Sequence, residues 1–321
     1  MPGKQSRCAD SLCLIAVCAL LVACDAQIDN SSSNITPPPV LLEKTGSIEA
    51  AKLIEASGLQ ASYSHKGDFF SHNDDGKPEV FVIGENGNDR GKMTLKPGKN
   101  KDWEDITSVP VDDGRWLVIG DIGDNGSKRK HITLHFTKEP SPGKHGRYSG
   151  RLEREHKVEL TYPDGARDCE AMSYDPVSRQ ILLLTKRDKP ARLYAIDLQT
   201  ALGEKEAELK FLGTITAFRP PTVKDRAKWG GRTEWISQPT GLDISADGTE
   251  AVVISYRSLY RFHRQEGEDW ITAMQRKPQE VVGPPAPQNE AVAYSVDGKS
   301  IFVTTEKLPA PVYRFQFMDK N

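Results

Sequence analysis

The chain has 321 residues, 37% hydrophobic and 27% charged, with 43 lysines and arginines against 45 aspartates and glutamates and a formal net charge of −2. That is enough apolar material for one large folded body, and the near-balance of charge argues against nucleic acid as a partner, because phosphate binding needs a basic field. Cys8, Cys13 and Cys18 lie in an N-terminal leader and Cys24 at its end, so Cys169 alone remains and a disulfide framework is excluded.

Lys4 and Arg7 give a positive start, and Ser11–Val22 is an apolar run too short to span a membrane as a stable helix, which predicts an export signal over residues 1–23. The signal ends Leu21-Val22-Ala23-Cys24, which resembles the lipobox of bacterial lipoproteins. The resemblance implies cleavage before Cys24 and lipidation of Cys24 on both its sulfur and its new amino group, so membrane lipid is an expected partner through that residue. The alternative is an ordinary secretory signal that holds a cysteine by chance. Asp25 resembles the inner-membrane retention signal of enteric bacteria, implying an envelope protein on the inner membrane facing the periplasm. Residues 24–39, with Ser31-Ser32-Ser33 and Pro37-Pro38-Pro39, read as a polar tether stiffened by proline.

Residues 40–321 read as a single domain, because no linker divides them. A short phrase returns five times, as Ser57-Gly58-Leu59, Glu104-Asp105-Ile106, Glu170-Ala171-Met172, Thr240-Gly241-Leu242 and Glu290-Ala291-Val292. Each opens a strand that turns and comes back as a more apolar one; Asp247-Gly248 and Asp297-Gly298 are turns of the kind that close hairpins. A third strand follows, and a further strand precedes each phrase: Val40–Ile48, Gly91–Leu95, His156–Tyr162, Leu209–Ala217 and Ile271–Val281. Four short strands recurring at such intervals predict an all-β chain, a single β-propeller of five four-stranded blades, with the N-terminal strand Val40–Ile48 completing the last blade. Two insertions, Pro140–Glu155 and Arg219–Ser237, leave six blades as the alternative and read as loops on a face of the body. Short helical turns are expected at Ser47–Ser57 and Glu204–Lys210.

Hairpin geometry sets the start of each first strand beside the end of the second. That pairs Glu290 with Thr305, Thr240 with Ser255, Glu170 with Thr185 and Ser57 with Asp74, and sets Glu104 near Asp121. If the first strand of each hairpin lines the central channel, Glu104, Glu170 and Glu290 converge at one mouth, joined by Asn73, Asp74, Asp121, Asp124 and Asn125, with Lys186, Arg257 and Lys307 following the second strands. Carboxylates at close range need a cation or basic neighbours, and oxygen-rich clusters with asparagine suit a hard cation such as Ca2+. Glu104, Asp121, Asn125, Glu170 and Glu290 are the candidate metal ligands. The bland reading keeps the acids as acceptors of backbone N–H groups, neutralised by Lys186 or its counterparts. His72 is the one histidine expected at the mouth, where it could act as a catalytic acid or base. Cys169 beside Glu170 reads as a small buried apolar residue ahead of a nucleophile.

The phrases Ser57-Gly58-Leu59 to His72-Asn73-Asp74, Asp102-Trp103-Glu104-Asp105-Ile106 to Gly120-Asp121-Ile122-Gly123-Asp124-Asn125, and Asp168-Cys169-Glu170-Ala171-Met172 resemble those of a group of bacterial secreted propeller proteins. The resemblance implies the fold and brings no activity. More distantly the pattern is similar to the esterase-like phytase and calcium-dependent lactonase propellers, whose channel-mouth acids bind metal; their catalytic residues find no one-to-one match. Two functions stand as expectations. One is a binding module that holds a protein, glycan or small ligand, with loop 219–237 as a contact arm because it gathers Arg219, Lys224, Arg226, Lys228 and Arg232 around Trp229 and Trp235. The other is a calcium-dependent hydrolase of a small ester, lactone or phosphoester.

Overall fold

A computed structural model describes residues 40–112, 114–286 and 288–317. The export signal, Cys24, Asp25 and the tether through residue 39 lie outside them. Strand β1 (Val40–Ser47) is followed by β2 (Ala56–Ala61), β3 (Asp68–Asn73), β4 (Glu79–Gly84) and β5 (Asp89–Lys96), which form the first blade. Next come β6 (Trp103–Val111), β7 (Gly114–Asp121), β8 (Ile132–Lys138), a short β9 (Arg151–Glu153) and β10 (His156–Thr161). Blade two is β6, β7, β8 and β10, whereas β9 pairs in parallel with β5 and caps the outer edge of blade one.

Blade three is β11 (Cys169–Asp175), β12 (Gln180–Thr185), β13 (Ala191–Asp197) and β15 (Lys210–Ile215). Between the last two run helix α1 (Leu198–Gly203) and β14 (Glu206–Glu208), the latter pairing in parallel with β10. Helix α2 (Val223–Trp229) and a 3-10 turn, Gly230–Trp235, lead into blade four: β16 (Pro239–Ile244), β17 (Glu250–Ser255), β18 (Ser258–His263) and, after α3 (Trp270–Ala273), β19 (Gln279–Val282). Blade five is β20 (Asn289–Tyr294), β21 (Ser300–Thr305) and β22 (Pro311–Phe317), with β1 as its outer strand.

The chain is therefore an all-β, five-bladed β-propeller, and β1 closes the ring as the sequence predicts, running antiparallel to β22 from Val40 opposite Phe317 to Ser47 opposite Pro311. The innermost strands complete the circle, with β2 beside β6, β6 beside β11, β11 beside β16, β16 beside β20 and β20 beside β2. The insertions hide no sixth blade. Residues 140–155 supply an edge strand and residues 219–237 a short helical arm, since a bare outer edge invites pairing with another chain. The helical turns expected at 47–57 and 204–210 are a turn leading into β2 and the strand β14; the helix lies one step earlier, over Leu198–Gly203.

Among the described residues there is no single central core. Five apolar clusters occupy the five gaps between neighbouring blades, and alternate residues of a strand serve different gaps: Phe69 packs toward blade five and Phe70 toward blade two, while Ile181 and Leu183 face blade two and Leu182 and Leu184 face blade four. That is why the second strands read as unbroken apolar runs: both of their faces are buried. The turns at Asp247-Gly248 and Asp297-Gly298 form as expected, each glycine at positive φ with its N–H donating to the carbonyl of Ser245 or Ser295 at 2.8 Å.

Candidate functional site

The inner hairpins depart from the expected register, by one residue in blades two to five and by two in blade one, where Ser57 lies opposite His72 and not Asp74. The first partners are Ala56 with Asn73, Trp103 with Asp121, Cys169 with Thr185, Pro239 with Ser255 and Asn289 with Thr305, and the register shifts directly after this pair in blades two to five and one pair later, after Ser57, in blade one. In blades two to five the residue left over is Glu104, Glu170, Thr240 or Glu290. A β-bulge leaves one residue unpaired and re-aims its side chain, so the acid of each phrase is turned out of the ladder. In blade one the bulge falls at Gly58, whose φ is +66° and where an added Cβ would lie 2.9 Å from the Cα of Asp105.

A second ring lies one residue beyond the end of each second strand: Asp74, Ile122, Lys186, Tyr256 and Glu306. All but Ile122 line, together with Glu104, Glu170, Glu290, Asn125, Arg187 and Trp235, an open pocket of about 270 Å³. The mouth thus gathers five carboxyls. Lys186 donates to Glu170 and, at 3.2 Å, to the hydroxyl of Tyr256, which in turn donates to Glu290 at 2.7 Å. Arg187, the other cation, is engaged by Asp168 at 2.6 Å and by Asn125. Trp235, 45% exposed, stands at the lip.

Burial dominates the electrostatics here. It pushes the Glu170 carboxyl up to about 7 even though Lys186 pulls the other way. It lifts Glu104 well above the usual carboxylate range, with Glu170 and Asp102 adding repulsion, and lifts Glu290 similarly, with Glu306 adding to it. Asp74 rises to about 7 through partial burial and the neighbouring Glu55. Burial opposes the charge on Lys186, yet Glu170, Tyr256 and Glu290 together hold its ammonium more firmly protonated than an ordinary lysine. Such a pocket carries fewer negative charges than its carboxyls allow, and each withheld charge is one that an incoming cation can restore.

Several residues expected at the mouth lie elsewhere. His72 is fully buried, its ring edge-on to Trp103 at 5.6 Å and its Nδ1 3.1 Å from the carbonyl oxygen of Asn73; burial lowers it to about 4, so it is a neutral wall residue and no acid or base. Asn73 accepts from the N–H groups of Ile54 and Glu55 and donates to the carbonyl of Lys52, which fastens that loop. Asp121 pairs with Arg129 at 2.7 Å, is also served by His135, and is lowered by these partners against its burial. Asp124 accepts from the Arg129 N–H at 2.7 Å, and its own N–H donates to Asp168. Arg257 ties the 219–237 arm through Asp225 at 2.9 Å and the carbonyl of Arg219. Cys169 is buried, and burial pushes its thiol up, which disposes of a nucleophile.

Of the expected metal ligands, Glu104, Asn125, Glu170 and Glu290 line this pocket and Asp121 does not; Lys186 and Arg187 engage Glu170 and Asn125. Among the described residues, the group of three whose carboxyl oxygens all lie within 4.8 Å of one another is Glu55, Asp74 and Asp75.

Sequence reasoning also missed two aspartates inside the channel. Asp105 accepts from the N–H of Met172 at 2.8 Å and of Leu242 at 3.3 Å; Asp243 accepts from the N–H of Tyr294 at 2.8 Å and from Ser173. Each stitches inner strands of other blades whose edge N–H groups face the axis, the signal being an acid in an otherwise apolar strand. Burial raises Asp105 well above its ordinary value and Asp243 to about 7.

The class these features define is a five-bladed β-propeller with an acid-rich pocket at one channel mouth. No family model matches the chain, and no curated protein matches it, so the likeness of its phrases to secreted bacterial propellers gains no support from that side. Among solved structures the chain is similar to Raptor of Chaetomium thermophilum, with 12% identity and a TM-score of 0.38. That match covers 84% of this chain and 20% of the other, so the chain spans about a fifth of that protein's length. No helix among the described residues is long and apolar enough to cross a membrane.

Proposed function

We propose that this protein is a lipid-anchored propeller of the bacterial envelope whose acidic mouth binds a cationic ligand. One observation carries the reading: five carboxyls, of Asp74, Glu104, Glu170, Glu290 and Glu306, surround the single ammonium of Lys186 in one open pocket, with Trp235 and Tyr256 beside them. Carboxylates with aromatic faces are the chemistry that recognises an organic cation. The anchor at Cys24 and the place on the inner membrane rest on the lipobox and Asp25 alone.

Thermal melting at pH 8 tests the reading. Methylammonium at ten times its Kd raises stability by about 1.4 kcal/mol, sodium chloride at equal ionic strength does not, and Glu104→Gln abolishes the difference. Equal midpoints in the two salts overturn it.

A second reading, a calcium-dependent hydrolase of a small ester, lactone or phosphoester, is favoured by the Glu55, Asp74 and Asp75 group at the pocket rim. The oxygen donors fit a hard cation there, which would supply Lewis-acid polarisation of a substrate oxygen. Asp74 would hold the ion and also face the pocket, and with His72 buried the proton acceptor would be a mouth carboxyl. A midpoint lowered by EDTA and restored by calcium, together with turnover on a panel of the three substrate classes, supports this reading; an unchanged midpoint removes it.

A further inference from the structure

A second concavity adjoins the mouth and shares Lys186 as its wall. It is a groove of about 370 Å³ between blade three and the 219–237 arm, lined by Pro190, Ala191, Ile215, Phe218, Pro221 and Pro239. Its size falls within the range of small-molecule sites, and its walls are chiefly apolar, in contrast to the mouth. Gln238 lines it, is only 8% exposed, and has its Oε1 buried without a hydrogen-bond partner. A buried acceptor left unpaired costs about 1–3 kcal/mol, and this one belongs to a residue of the groove wall. The arm roofing the groove is fixed at its base by Arg257 on Asp225 at 2.9 Å and at its tip by one exposed pair, Lys189 with Glu234 at 2.7 Å. Helix α2 buries no side chain of its own.

We propose that the mouth and the groove form one composite site for a small organic ammonium compound with an apolar substituent: the ammonium among the mouth carboxyls, the apolar part in the groove, and an N–H or O–H of the ligand on Gln238 Oε1. The proposal rests on the mouth being a cation site and adds what the rest of the ligand must be. An apolar anion is rejected at the mouth, and a bare cation leaves the groove wet and Gln238 unpaired. The ion pair that joins the arm to blade three, Lys189 with Glu234, is solvent-exposed, and exposed pairs of this kind are weak.

Calorimetric titration of the full chain at pH 8 with methylammonium, phenethylammonium and 3-phenylpropionate separates the two claims. Phenethylammonium should bind at least about tenfold tighter than methylammonium, since its ring leaves water for the groove, and 3-phenylpropionate should not bind. Thr216→Trp, a change at an exposed position of the groove wall, should bring the ratio of the two amine affinities down toward one. Equal affinities for both amines in the unaltered protein overturn the composite site and leave the cation mouth standing. Binding of neither amine overturns both. Binding of the peptide Ac-Lys-Leu-NH2 with no binding of phenethylammonium overturns the small-amine reading in favour of a peptide.

Discussion

Replacing Lys186 by methionine keeps the apolar stem and removes the ammonium from the mouth, leaving Glu170, Glu290 and Tyr256 without their shared cation. Two hydrogen bonds disappear, to Glu170 and Tyr256, at about 1 kcal/mol each. Glu170 is then unpaired and escapes by taking up a proton, at about 1.4 kcal/mol for each pH unit above its present value. Its folded-state value, about 7, lies above the ordinary 4.5. Its proton therefore contributes stability that is fully present below about pH 4.5 and lost as pH rises through 7, and without Lys186 that loss continues beyond 7. Lys186→Met should accordingly destabilise by about 3 kcal/mol at pH 8 and by about 2 kcal/mol at pH 6, where Glu170 is already largely protonated. The pH 8 value meets the lower end of what breaking a buried ion pair costs and corresponds to about 6–12 °C in the midpoint of a domain of this size. Urea unfolding of both proteins at the two pH values measures it. A loss that is the same at both pH values, or below about 1 kcal/mol at pH 8, would refute the idea that Lys186 neutralises the ring.

Other outcomes follow from the same contacts. Glu104→Gln should raise stability at pH 8 by about 1 kcal/mol, because the amide has no charge to desolvate, while weakening cation binding at least about tenfold; loss of both would mean the carboxylate is structural. Asp105→Ala strands the buried N–H groups of Met172 and Leu242 and should cost about 4 kcal/mol in urea unfolding, with Asp105→Asn costing about half, since one acceptor oxygen is kept. Arg257→Ala frees the base of the arm, so limited proteolysis should cut within residues 219–237 several times faster while the global midpoint moves by only a few degrees. Cation affinity should fall as the pH drops from 8 to 5, since Asp74 and Glu170, both raised to about 7, lose their charge over that interval.

How much of this the sequence discloses depends on what each feature rests on. Blade count, closure by Val40–Ser47 and the convergence of Glu104, Glu170 and Glu290 follow from strand periodicity and from a repeat whose turns are marked by Asp-Gly, and these are local signals. The error in register came from bulges, which leave no mark in a two-residue alternation; Arg257 and Lys307 stood in place of Tyr256 and Glu306 on the second ring because β17 and β21 end at Ser255 and Thr305, one residue earlier than the alternation suggests. His72, Asn73, Asp121 and Asp124 could not be assigned from type alone, because an acid or histidine near a strand end looks the same whether it faces the pocket or a neighbour such as Arg129. Trp235 and Gln238 reach the site from the arm, whose path is set by long-range contacts to Arg257 and Glu280 that no spacing encodes.

The claim on which the account depends is that the mouth is short of positive charge and holds protons in its place. Calorimetric titration of methylammonium at pH 6.5, in two buffers of different ionisation enthalpy, measures this directly. The account predicts binding accompanied by release of protons from the mouth carboxyls, and no release in Glu104→Gln/Glu170→Gln. Binding with no proton release, or no heat of binding in either buffer, would contradict it.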